Sequence, residues 1–336
     1  MRKGERKMPD NIISKETMRV LLEHLRSTRT LIGPVDTGKV VEYREAAPSE
    51  ILMDDRISYK SIKEYYFPRT ELMFTFGNGE VTDNADIPGF VIFGAKPCDL
   101  EALRILNQVY TTGPYADPFF KRRLEANFII GVGCIQQKAE CFCHIMAVDK
   151  EFSDNCDIML TDLGDSYSVE YMSDKGRQAL GEYAPTSGVD CDNQRKAVMP
   201  DEKERLTLNV EAEDAEYFDI VDWVKITETC KGCGICTYLC PACYCFNFKD
   251  VTEKGEAKRY KCWDSCMYPK FTLHASGHNP RENRHERYRQ RVLHKYKYVP
   301  NNFGGYVSCT GCGRCIRSCP VGMNIKNIVA GINNPL

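Results

Sequence analysis

The chain of 336 residues is long enough for two domains, and 45 Lys+Arg against 47 Asp+Glu leave a formal charge of −2, a balance that argues against nucleic acid or an anionic membrane as principal partner. With 43% hydrophobic and 27% charged residues, it has the composition of a folded globular protein rather than a disordered one. Eighteen cysteines are the anomaly, many for an intracellular chain and too few per residue for a small disulfide-stapled scaffold.

The first thirty residues open on charges (Arg2, Lys3, Glu5, Arg6, Lys7) and lack the apolar core of a secretory signal. Apolar runs such as Phe90–Ala95 fall far short of the ~20 residues needed to cross a bilayer. A cytoplasmic protein with no membrane span is expected, and in that reducing compartment clustered cysteines read as metal or cluster ligands or redox thiols.

Along the chain, Ser14 can cap a helix whose Met18, Leu21, Leu22 and Leu25 share one face. Leu72, Phe74 and Phe76 alternate like a half-buried strand, whereas Phe90-Val91-Ile92-Phe93 and Phe128-Ile129-Ile130 are the continuous apolar runs of buried strands. Between those runs, Leu100, Leu103, Leu106 and Tyr110 form a helical stripe, so the order predicts a βαβ unit. A hairpin follows, turning at Leu163-Gly164-Asp165.

Twelve cysteines lie in the last 107 residues and six in the first 229. The expected organisation is α+β multidomain. An α/β domain with a partly parallel sheet spans 1–200, a solvated acidic connector 201–219, and a helical ferredoxin-like domain with two [4Fe-4S] motifs 220–336, the border falling within about ten residues of Ala215. Asn279-Pro280 predicts a helix over 281–298. Its charges (Arg281, Arg284, Arg287, Arg289, Arg291, Lys295 and Lys297 against Glu282 and Glu286) read as a solvated face, or alternatively as a docking surface for an acidic partner.

Cys230-Lys-Gly-Cys233-Gly-Ile-Cys236-Thr-Tyr-Leu-Cys240-Pro241 matches C-x2-C-x2-C-x3-C-P, and Cys309-Thr-Gly-Cys312-Gly-Arg-Cys315-Ile-Arg-Ser-Cys319-Pro320 repeats it. In such pairs the first three thiolates hold one cubane and the fourth reaches the other. The predicted [4Fe-4S] sets are therefore Cys230, Cys233, Cys236 with Cys319, and Cys309, Cys312, Cys315 with Cys240. A pair of zinc sites explains neither the extra cysteines nor the prolines. A thioredoxin-type Cys240-Pro-Ala-Cys243 is weak, because Cys240 is already committed.

The 68 residues between Cys240 and Cys309 bring in Cys243, Cys245, Cys262 and Cys266. These read first as structural thiols, then as extra iron ligands, a substrate-binding cluster or a redox dithiol. In the N-terminal half, Cys98 and Cys134 follow two expected parallel strands, at the end where α/β domains place ligands, and Cys141 and Cys143 come soon after. Four thiolates on one rim would suit a third [4Fe-4S] cluster, and spacing alone leaves this open against plain thiols. Cys156 and Cys191 read as plain thiols. Gly33 to Val40 misses the P-loop pattern at Val40 and Pro34, and Gly131-Val-Gly133 lacks the third glycine of a dinucleotide site. His274, His278 and His294 read as structural.

At CPACYCF, CWDSC, GHNPR, LHKYKY and CTGCGRCIRSCPVGMNI, with FGAKPCDLEAL, FIIGVGC and ECFC upstream, the chain resembles the iron–sulfur beta subunit of cytoplasmic sulfhydrogenases and is similar to the dicluster iron–sulfur component of anaerobic sulfite reductase. The resemblance implies an electron-transfer subunit without an active site of its own. It would dock on a flavoprotein subunit that reacts with NAD(P)H, with flavin only there, and pass electrons to a catalytic oxidoreductase subunit. It also favours the third cluster. The sequence departs from the family at Cys-Pro-Ala, at Cys262 before Trp263, and at His144-Ile145-Met146-Ala147, where a glycine-containing stretch is expected. The competing functions are an enzyme working at the Cys243, Cys245, Cys262 and Cys266 insert, and a zinc-stabilised interaction module.

Overall fold

A computed structural model describes residues 11–84, 87–183, 186–187, 206–253 and 255–333. Its larger sheet is built from β1 (Asn11–Ser14), β2 (Thr30–Asp36), β3 (Val41–Glu45), and a smaller one from β4 (Thr70–Gly77) and β5 (Glu80–Asp83). To the larger sheet are added β6 (Phe90–Ala95), β7 (Phe128–Val132), β8 (Ile158–Asp162), β9 (Ser166–Tyr171) and β10 (Thr186–Ser187). The smaller sheet is completed by β11 (Phe246–Glu253) and β12 (Glu256–Trp263). The larger sheet runs β10-β1-β9-β8-β7-β6-β2-β3, with the β2, β6, β7 and β8 neighbours parallel.

The N-terminal elements follow the sequence pattern. Helix α1 (Lys15–Arg26) starts where the Ser14 hydroxyl accepts from the Thr17 amide at 3.0 Å, and it buries Met18, Leu21 and Leu22 against the sheet. Helix α2 (Pro97–Thr111) links β6 to β7 and packs Leu100, Leu103 and Leu106 on the other face. That is the expected βαβ unit, and the β8–β9 hairpin is also as expected. Gly33 to Val40 is strand β2 and its hairpin turn, in which the Asp36 carboxylate accepts from the Gly38 amide. In β4 the buried positions are Glu71 and Met73, not Leu72, Phe74 and Phe76. Glu71 can be buried because Lys261 of β12 and Arg123 neutralise it.

Two expectations for the C-terminal part are corrected. The insert after Cys240 is not all helical, since β11 and β12 pair with each other and β12 pairs with β4, joining residues 257–262 to 70–76. The helix expected over 281–298 begins at Arg284, where Asn283 and Glu286 form a reciprocal capping box; it runs to Leu293 and continues as a π-helix over His294–Tyr298. Its charges do not all face water. Arg287, Arg291, Lys295 and Lys297 are 7%, 2%, 2% and 8% exposed, and the first three, four residues apart, form an inward cationic stripe. In the connector, Leu206, Leu208, Ala212 and Tyr217 pack into the C-terminal core while Glu211, Glu213 and Glu216 remain exposed.

Candidate metal centres

Each C-x2-C-x2-C motif is a loop that enters a one-turn helix through a left-handed glycine, Gly234 (φ 77°) or Gly313 (φ 71°). Cys230, Cys233, Cys236 and Cys319 line one cavity with about 430 Å³ of empty space. Cys240, Cys309, Cys312 and Cys315 line a second with about 320 Å³. The fourth thiol of each motif thus lies in the cavity of the other motif's first three. Cys315 and Arg291 border both cavities, so the two adjoin. Backbone amides turn inward, Gly232 donating to the Cys230 sulfur at 3.4 Å and Met323 to that of Cys319 at 3.2 Å.

The donor chemistry fits an iron–sulfur group. Burial raises the Cys236 thiol and pushes Cys312 up to about 11 and Cys315 up to about 12, so these groups ionise readily only when a metal displaces the proton. Cys240 goes the other way. A hydrogen bond from Cys243, with Lys295, Arg291 and Lys63 close by, holds its thiol well below the usual range against burial. Lys295 donates to the Cys240 sulfur at 3.2 Å and to the Ser308 carbonyl at 2.8 Å. Arg291 donates to the Cys236 carbonyl at 3.3 Å, while its buried Nε has no partner among the described residues. Buried cations beside thiol-lined cavities suit an anionic cluster.

At the N-terminal rim Cys98, Cys134, Cys141 and Cys143 lie near enough for their charges to influence one another. Cys98 lies in the first turn of α2 and Cys134 just beyond β7, at the carboxyl ends of adjacent parallel strands. Cys143 begins a short 3-10 turn to Met146, which closes on Ala147 at φ 55°, the left-handed conformation that a glycine would adopt without strain. Burial, then neighbouring charge, raises three of the thiols. Cys98 feels Cys134, Cys134 feels Cys141, and Cys143, pushed up to about 11, feels both Cys134 and Cys141. Beside them the Lys96 ammonium, 1% exposed, has no hydrogen-bond partner among the described residues, and its charge acts to lower Cys134. A thiol set with an unpartnered cation at its edge fits an anionic group here too.

Rim and second motif are bound together. Cys141 donates to the Cys312 carbonyl at 3.5 Å, and the Phe142 amide donates to the Gly311 carbonyl at 2.7 Å. Arg314, 1% exposed, forks onto both Asp99 carboxylate oxygens at 2.5 and 2.8 Å and donates to the Ser58 carbonyl. Sequence reading missed this pair. Arg314 stands where the first copy has Ile235, and Asp99 follows Cys98, which were its only signals.

Of the insert thiols, Cys243 hydrogen-bonds to Cys240, and Cys245 to Cys266. Cys262 sits in β12 opposite Asn247 and Thr70. Lys63, another missed residue, is buried with its ammonium bonded to the Cys240 and Cys243 carbonyls at 3.0 and 3.1 Å and stacked 4.0 Å over the Trp263 ring. The His274 and His278 rings pack edge to face, and His294 meets the Tyr244 hydroxyl at 3.3 Å. Cys156 is half-buried against the Ser153 carbonyl, and Cys191 lies outside the described residues.

Residues 229–323 match the family model of the 4Fe-4S dicluster domain. The chain is 31% identical over 306 residues to the sulfhydrogenase 2 subunit beta of Pyrococcus furiosus, an alignment covering 88% of this chain and 90% of that protein. No solved structure matches.

Proposed function

Because the chain belongs to the family of sulfhydrogenase beta subunits, we propose that it is a cytoplasmic electron-transfer subunit working between a flavoprotein subunit that reacts with NAD(P)H and a catalytic subunit such as a hydrogenase or sulfite reductase. Two [4Fe-4S] clusters would be held by Cys230, Cys233, Cys236 and Cys319, and by Cys309, Cys312, Cys315 and Cys240. A third would be held by Cys98, Cys134, Cys141 and Cys143. When bound, such clusters supply one-electron storage with little change of structure. The observation that carries the reading is the crossing of the motifs, each fourth cysteine lining the other's cavity.

The chain's own residues set the conditions for that role. Gly232 and Gly311 (φ 65° and 64°) let the loops turn tightly, and inward amides stabilise thiolate charge. Lys295 and Arg291 offset negative charge in cavities whose walls also include Tyr288, Met267, Ile325 and Phe142. No helix among the described residues is long and apolar enough to cross a membrane.

Anaerobic iron, sulfide and zinc analysis with EPR of the reduced protein tests the reading. About twelve irons per chain are expected, four per cubane. About eight would remove the third cluster, and stoichiometric zinc in place of iron would overturn the relay.

A further inference from the structure

Cys243, Cys245 and Cys266 lie outside the three proposed ligand sets, and Cys243 adjoins one of them. Cys243 hydrogen-bonds to Cys240, which borders the second cavity. Cys245 and Cys266 both line a third cavity, partly open, with about 580 Å³ of empty space, and lie close enough for each to shift the other's thiol. The other walls include Arg281, Gln290, His294 and Phe271. Among the described residues no acid is paired with Arg281. Burial, Lys295 and Arg281 hold His294 down to about 4, so its ring is neutral in neutral solution and leaves Arg281 as the cation on that wall. Two neighbouring thiols on the wall of one solvent-reachable cavity, with the Arg281 guanidinium beside them, form a site for an anionic sulfur electrophile.

We propose that Cys245 and Cys266 are a redox-active dithiol that reduces a small organic disulfide bearing a carboxylate, with Arg281 holding the carboxylate. Cys245, brought down to about 7 by the hydrogen bond from Cys266 and by Lys295 and Lys63, is the attacking thiolate. It forms a bond to one sulfur of R–S–S–R and releases RS⁻. Cys266, after losing its proton, attacks the Cys245 sulfur of the mixed disulfide, closes the Cys245–Cys266 disulfide and releases the second RS⁻. The two cysteine protons leave as two RSH, and two electrons have passed from the protein sulfurs to the substrate. Resetting the pair takes two electrons and two protons, which the relay of the proposed function would supply; the proposal rests on that reading.

The test uses the full chain with its iron in place, kept anaerobic, with glutathione disulfide as the anionic probe and cystamine as its cationic counterpart, read by alkylation and peptide mass spectrometry. Glutathione disulfide is expected to give a Cys245–Cys266 disulfide. Cys266→Ser should stop at a glutathione adduct on Cys245 with iron content unchanged. Arg281→Met should slow the glutathione reaction by about tenfold, the loss of one charge-assisted contact, and leave cystamine unaffected. Loss of about four irons in Cys266→Ser would make these thiols cluster ligands and overturn the proposal. Absence of exchange in protein with its full iron and EPR signals would overturn it alone, because exchange is read on sulfur and the relay on iron.

Discussion

The two copies of the C-x2-C-x2-C-x3-C-P motif share a pattern but not surroundings. In the first, Cys233 is exposed, Ile235 follows the left-handed glycine, and a side chain added at Gly232 would find its nearest neighbour, the Met267 carbonyl, 3.9 Å away. In the second, Cys312 is buried, Arg314 takes the isoleucine's place, and a Cβ on Gly311 or Gly313 would lie 2.5 Å from the backbone of 140–143. The first loop is held mainly by the Tyr268 ring, 2.8 Å from where a Cβ on Gly234 would lie, whereas the second is locked to the segment carrying Cys141 and Cys143 and to Asp99 beside Cys98. The difference gives the molecule a direction. The first cavity reaches the surface at Cys233, and the second adjoins the segment that carries Cys141 and Cys143.

That contrast can be broken at its glycines. Gly311→Ala combines left-handed strain with a clash against the backbone of Phe142 and Cys143, about 3–5 kcal/mol together, and should remove about four irons and lower Tm sharply. Gly232→Ala carries only the strain, about 1–2 kcal/mol, and should keep its iron. Equal losses in the two variants would mean that the loops are equivalent. A smaller effect should separate the cavities electrically. Lys295 touches the sulfur of Cys240, so Lys295→Met withdraws a cation that favours the reduced, more negative state. The midpoint potential of the second site should fall by about 60 mV or more, the equivalent of one charge-assisted hydrogen bond, while the first moves less. A uniform shift in redox titration would contradict the separation.

Much of this was legible in the chain. The runs at 90–93 and 128–130 are apolar at successive positions because both faces of β6 and β7 are covered, and the ligand spacing reports local loop geometry that needs no distant residue. What was not legible depends on partners remote in sequence or absent from it. Arg287, Arg291 and Lys295 look like a solvated face because nothing in their own segment says that thiol-lined cavities lie opposite. The β11–β12 hairpin carries exposed side chains along most of its length and so lacks alternation; it is held by pairing with β4, far away in the sequence. Arg314 and Asp99, 215 residues apart, become a pair only when the second loop meets the N-terminus of α2.

The central claim is that the motifs exchange their fourth ligands, and EPR of three serine variants tests it directly. Cys233→Ser and Cys312→Ser identify the signals of the first and second clusters. If the ligands cross, Cys319→Ser should alter the same signal as Cys233→Ser and leave the other intact. If it alters the Cys312→Ser signal instead, each motif holds its own cluster and the account of two interlocked sites is wrong.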